Sequence, residues 1–137
     1  MQDDQERRRN WRANWLSSIQ EFADDETQRR SWLDHKNTNL HFSFVEYFSC
    51  YFDDLGLSDG DYDWALNRGM VSADEVEAVA AFHQAADTYD SPSDEYNHKA
   101  ILADPKWAEV VAAAKRAQSA LSRLIDDPKE RCLLLGP

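Results

Sequence analysis

His41-Phe42-Ser43-Phe44-Val45-Glu46-Tyr47-Phe48-Ser49-Cys50-Tyr51-Phe52-Asp53-Asp54-Leu55 is the most apolar stretch of this 137-residue chain. Its reading decides the fold. Aromatic residues favour strands, but the spacing argues for a helix: Val45, Phe48, Phe52 and Leu55 recur at steps of 3, 4 and 3, the period of one helical face. Gly56 stands where a helix commonly ends in a left-handed residue. The pattern predicts a helix over 41–55, with Phe44 and Tyr51 flanking the stripe and Tyr47, Cys50 and Asp54 on the far side. Aromatics on more than one side mark a helix packed by several neighbours. The alternative is display of Tyr47 and Tyr51 to a partner.

Outward from this stretch the periodicity stays helical. Trp11, Trp15, Ile19 and Phe22 form a stripe in a helix over 4–24 that Asp3 or Asp4 can cap. A short helix over 26–34 is anchored by Trp32 and Leu33, and 37–39 reads as a loop. Another short helix spans 61–68 and ends at Gly69; its Trp64 is expected in the core. Ser72-Ala73-Asp74-Glu75 is a capping box. It opens a helix to 89 with Val76, Val79, Phe82, His83, Ala86 and Tyr89 inward and Asp74, Glu77, Gln84 and Thr88 outward. Residues 90–97 form a loop and 98–102 a turn of helix. Asp104-Pro105 and Asp127-Pro128 are helix starts, a cap followed by proline at the first position. The first of these opens a helix to 125 striped by Trp107, Val110, Val111, Ala114, Ala117, Leu121 and Ile125; the second carries Leu133 and Leu134 back to the core. The expectation is an all-α protein, one compact domain over 1–137 with five to seven helices.

Charge is unevenly placed. The formal net charge is −11, and 42% of the residues are hydrophobic, too many for a disordered chain. Residues 37–98 hold 13 acids and a single base, Arg68, whereas the flanking segments are nearly balanced. Acid gathered in one segment gives a directional field that steers cationic partners; acid that merely keeps a surface soluble is the plainer reading. So negative a chain is repelled by nucleic acid phosphates, which disfavours direct binding to them. The apolar runs fall short of a bilayer span, and the start through Arg7-Arg8-Arg9 leads into no signal-peptide core. A cytoplasmic protein is expected, without membrane contact and with Cys50 and Cys132 as reduced thiols, Cys50 as a small core hydrophobe.

Constellations for catalysis are sparse. Asp59-x-Asp61-x-Asp63 matches the first half of a calcium loop, but Trp64 and Met70 occupy the positions that need glycine and a bidentate glutamate. His83 and Asp87 lie one turn apart, and His98 could join them in a small helical metal-dependent enzyme. On its apolar face, however, His83 reads better as a satisfied core histidine. No phosphate-binding glycine loop, nucleophile elbow or H-E-x-x-H run occurs. The expectation is a non-enzymatic protein with no catalytic residues, no metal ligands and no cofactor.

The densest acidic-aromatic run is 53–77, where Asp53, Asp54, Asp59, Asp61, Tyr62, Asp63, Glu75 and Glu77 are expected to meet a partner: aromatics anchor such interfaces and carboxylates pair with arginine or lysine. In size, helical pattern and the run from Tyr51-Phe52-Asp53-Asp54-Leu55 to Asp63-Trp64, the chain resembles the immunity proteins of bacterial toxin–immunity pairs. That resemblance implies stoichiometric binding to a cognate toxin, a basic protein domain, by a monomer or weak homodimer. The alternative binder is a nucleic-acid mimic whose carboxylates imitate phosphates and occupy a DNA- or RNA-binding protein.

Overall fold

In a computed structural model, which describes residues 3–39, 41–58 and 61–136, every regular element is helical. The helices are α1 (Asp4–Ala23), α2 (Asp25–Trp32), α3 (Phe44–Phe48), α4 (Asp63–Asn67), α5 (Ala73–Asp87), α6 (His98–Ala103), α7 (Pro105–Ser122) and α8 (Pro128–Leu135). A π-helical turn, Ser49–Asp53, continues α3. All-α is therefore the fold class, with eight α-helices among the described residues rather than five to seven. Each coincides with a helical segment expected from the sequence, and side-chain caps keep most of the short ones distinct. Asp24 ends α1 and accepts the Thr27 N–H of α2, Asn97 caps α6, and Asp127 caps α8 just beyond α7. Ser72 and Glu75 form both halves of their capping box, and Asp104 caps α7 ahead of Pro105.

Helix α7 packs on α1 and α5, and α8 closes against α1. Phe22 of α1 is the aromatic hub. Its ring lies 5.3 Å from Phe48, 5.8 Å from Tyr51, 5.2 Å from Phe82 and 6.0 Å from Trp107, which joins α1 to α3, the π turn, α5 and α7. The 41–55 stretch is helical from Phe44, capped by Ser43, but its buried side differs from the expected stripe. Phe44, Tyr47, Tyr51 and Leu55 are buried, while Val45, Phe48 and Phe52 are only partly covered. Tyr47 and Tyr51 both face inward, as expected of a helix packed on several sides, so neither is displayed to a partner. The two faces already differ at Phe44 and Tyr47, before the π turn, whose bonds run from Asp54 N–H to Ser49 O (3.0 Å) and from Leu57 N–H to Phe52 O (2.8 Å); apolar residues fill both registers, and tertiary packing selects the inner one.

Other placements also depart from expectation. Trp64 is 36% exposed; its indole N–H donates to Gly56 O (2.5 Å) and its ring edges onto Trp11. Gly56 has φ +73°, and a Cβ there would stand 3.1 Å from the Trp64 ring, so backbone and packing both call for glycine. Cys50 is only partly buried, and Leu133 is exposed while Leu134 enters the core.

One charged cluster lies inside. Arg12 of α1, 3% exposed, places all five guanidinium N–H groups. Nε donates to Glu130 (2.8 Å), Nη1 to Met70 O and Glu75 (both 2.9 Å), and Nη2 to Glu75 (2.7 Å) and Glu130 (3.2 Å). Burial alone would lower the guanidinium pKa, but the hydrogen bonds and charges of Glu75 and Glu130 more than reverse this and hold it above its ordinary value. Burial likewise pushes Glu75 upward, yet Arg12 and the Ser72 N–H draw it below the usual carboxylate range. Removing one partner of such a pair strands a buried charge, so Arg12→Leu is expected to cost about 3–5 kcal/mol in urea unfolding. Arg12→Leu with Glu75→Leu should recover part of that loss despite the lost cap; a single variant within about 0.5 kcal/mol of wild type would contradict this role.

Candidate functional site

The expected partner-facing residues divide once the chain is folded. Tyr62 and Glu75 are buried and engaged internally, so neither is presented to a partner. Trp15 Nε1–H donates to the Tyr62 hydroxyl (2.9 Å), the Tyr62 and Tyr51 hydroxyls are 2.5 Å apart, and Tyr51 meets His83 Nδ1 (2.8 Å). An indole can only donate, so Tyr62 accepts from Trp15, and the Tyr62 and Tyr51 hydroxyls and the His83 imidazole continue the chain. Burial holds both tyrosine pKa values above ordinary and keeps the hydroxyls protonated for this role. Asp59 lies outside the described residues. Asp61 is exposed and accepts the Asp63 N–H (3.1 Å), shaping the turn into α4, where Asp63 is also exposed. Glu77 is exposed on the outer side of α5.

Asp53 and Asp54 separate onto opposite sides of the π turn. Asp54 borders a polar hollow with Glu21, His41, Cys50, Asn14 and Ser18. His41 pairs there with Glu21. Burial pushes the Cys50 thiol up to about 11, with the charges of Asp54, Glu21 and Glu46 adding to it. A thiol so protonated near neutral pH is a poor nucleophile.

Asp53 lies on a groove of about 640 Å³ between α3 with its π turn and the segment following α5. One wall is Phe44, Val45, Phe48, Ser49, Phe52 and Asp53; the other is Tyr89, Asp90, Ser91 and Glu95. The rings of Phe44 and Phe48 are 4.4 Å apart and those of Phe48 and Phe52 5.7 Å, which makes a continuous aromatic floor. Trp107 backs it, 6.2 Å from Phe48 and 5.2 Å from Tyr89. Tyr89 is fixed by donating to Asp104 (2.9 Å). The result is an apolar bed with Asp53, Asp90 and Glu95 at its edge. Asp90 and Glu95 were legible only as charges in a loop; the turn after α5 brings them opposite Asp53.

The exposed acids of the middle segment, Glu46, Asp53, Asp54, Asp61, Asp63, Asp74, Glu77, Asp87, Asp90, Asp94 and Glu95, take part in no ion pair among the described residues. Also among the described residues, no three His, Cys, Asp or Glu side chains converge as a metal-binding group. The imidazoles considered for catalysis serve the fold. His83 Nδ1 is hydrogen-bonded with the Tyr51 hydroxyl, and His98 ties three elements together, its Nδ1–H donating to Trp32 O (3.2 Å) while Nε2 accepts the Phe44 N–H (3.3 Å). Compared with known proteins, the chain matches no family, no curated protein and no solved structure. No helix is long and apolar enough to cross a membrane among the described residues.

Those two bonds require neutral His98, and burial lowers its pKa against the opposing effect of the Trp32 carbonyl. The unfolded chain therefore binds a proton, at about pH 6.5 and below, that the folded chain resists. The stability His98 contributes is complete above that pH and lost as pH falls through its folded value. His98→Gln can keep both bonds without titrating. Its thermal midpoint should fall less than that of wild type between about pH 7 and about pH 5; parallel curves would contradict the assignment.

Proposed function

We propose that this chain is a protein-binding module for a basic partner, and specifically an immunity protein that neutralises a cognate bacterial toxin by charge-complementary association. The observation that carries this reading is the set of surface carboxylates from the middle segment, which have no ion-pair partners within the described chain. Acids already neutralised by neighbouring lysines or arginines would give little field. Unpaired ones project it into solvent and accelerate encounter with a positive surface. A second support is the internal use of His83, Tyr51, Tyr62 and His98, which leaves these groups occupied with holding the core. The bound toxin is expected to lose access to its own substrate because the acidic face covers its basic one.

The test starts from the neighbouring genes: one of them is expected to encode a basic toxin domain, and the lack of any such neighbour would count against this function. Co-expression should restore growth, and the purified pair should associate at a rate that falls about tenfold or more between 50 and 500 mM salt, values on the order of those that screen surface charge. Reversing Asp61 and Asp63 to Lys should slow association while the chain stays folded, the loss of the Asp61 turn bond costing about 1 kcal/mol. Unprotected growth, or an association rate indifferent to salt, would exclude this function.

A further inference from the structure

The groove beside Asp53 combines two features that recognise different parts of one side chain. Its floor is a rank of aromatic rings, and the positive side-chain plane best suited to lie on such rings is guanidinium, which is delocalised and weakly hydrated. Its edge carries Asp53, Asp90 and Glu95, none of them in an ion pair among the described residues, and a guanidinium offers N–H groups in a fixed fork that matches carboxylates. Its volume, about 640 Å³, gives an open groove with room for a long side chain. The bed is also fixed in advance. Trp107 supports Phe48 from behind, and the bond from Tyr89 to Asp104 holds the opposite wall, so little side-chain freedom is lost on binding.

We propose that this groove receives an arginine side chain of the basic protein partner, its guanidinium stacked on Phe48 and Phe52 and hydrogen-bonded to Asp53, Asp90 and Glu95. The proposal rests on the basic-partner reading and deepens it by naming the anchor and the residue type it selects. Lysine is the disfavoured rival: its ammonium is compact and strongly hydrated, and can meet a carboxylate only as a point charge. The general acidity of the surface attracts both residues; the aromatic floor discriminates between them.

The probe is a capped peptide, acetyl-Gly-Arg-Gly-Arg-Gly-amide, titrated into the intact chain beside its lysine counterpart and followed by NMR. Ring signals of Phe48, Phe52 and Tyr89 should shift, and the arginine peptide should bind about threefold more tightly or better. Asp53→Asn with Asp90→Asn and Glu95→Gln alters only exposed side chains and should weaken binding about tenfold. Asp61→Asn with Asp63→Asn should change it less than about twofold. Phe52→Leu keeps an apolar floor but removes a ring, and should abolish the preference for arginine. Shifts gathered around Asp61 and Asp63, equal affinity for the two peptides, or an unaffected groove variant would each overturn the proposal. None of these outcomes depends on the toxin: neutralisation without groove binding would refute the anchor alone, and groove binding without neutralisation would refute the immunity function alone.

Discussion

The buried guanidinium of Arg12 is the constraint on which the rest of the arrangement depends. Five donors leave water together, and such a group is tolerated inside only when each finds an acceptor. Glu75, Glu130 and the Met70 carbonyl supply them, from α5, α8 and the turn before α5. Two parts of the chain far apart in sequence, the 70–75 segment and α8, are thereby brought to one point on α1. Glu75 also closes the capping box with Ser72, so the same carboxylate starts α5 and ties it to α1. One acid of the middle segment is thus taken inward and neutralised. The other described acids of that segment stay outside without a counter-ion.

Beside this ionic cluster runs the neutral hydrogen-bonded chain Trp15–Tyr62–Tyr51–His83. It lets polar aromatic tips sit among the rings around Phe22 without leaving them unsatisfied. This hydrogen-bonded chain holds Tyr51 of the π turn inward. Tyr47 and Tyr51 turn inward, Val45, Phe48 and Phe52 are left half covered, and an aromatic bed opens beside Asp53. The groove floor is the outer side of rings whose inner sides pack on Phe22 and Trp107.

Much of the fold was legible in the residues because its signals are local. Ser72 with Glu75, Asp104-Pro105 and Asp127-Pro128 each mark a helix start through hydrogen bonds spanning three residues or fewer. The inner sides of α5 and α7 followed from period alone. The buried side of the 41–55 stretch did not, because apolar residues fill both the 44/47/51 and the 45/48/52 registers and period alone does not choose between them. The site was harder still. Glu75 and Tyr62 look like interface residues in an acidic-aromatic run, and only tertiary partners, Arg12 from 63 positions away and Trp15 from 47, draw them inside. Asp90 and Glu95 lie outside that run, and their place opposite Asp53 depends on how the 90–97 segment returns across α3.

The central claim is that negative potential concentrates around the Asp53 groove. The most direct measurement is residue-by-residue mapping of near-surface potential, from NMR relaxation induced by otherwise matched cationic and anionic paramagnetic cosolutes. Amides over 44–54 and 88–96 should show the strongest excess relaxation by the cationic probe, fading as salt is added. Equal response to both probes along those segments, or a cationic excess spread evenly over α1, α7 and α8, would contradict it.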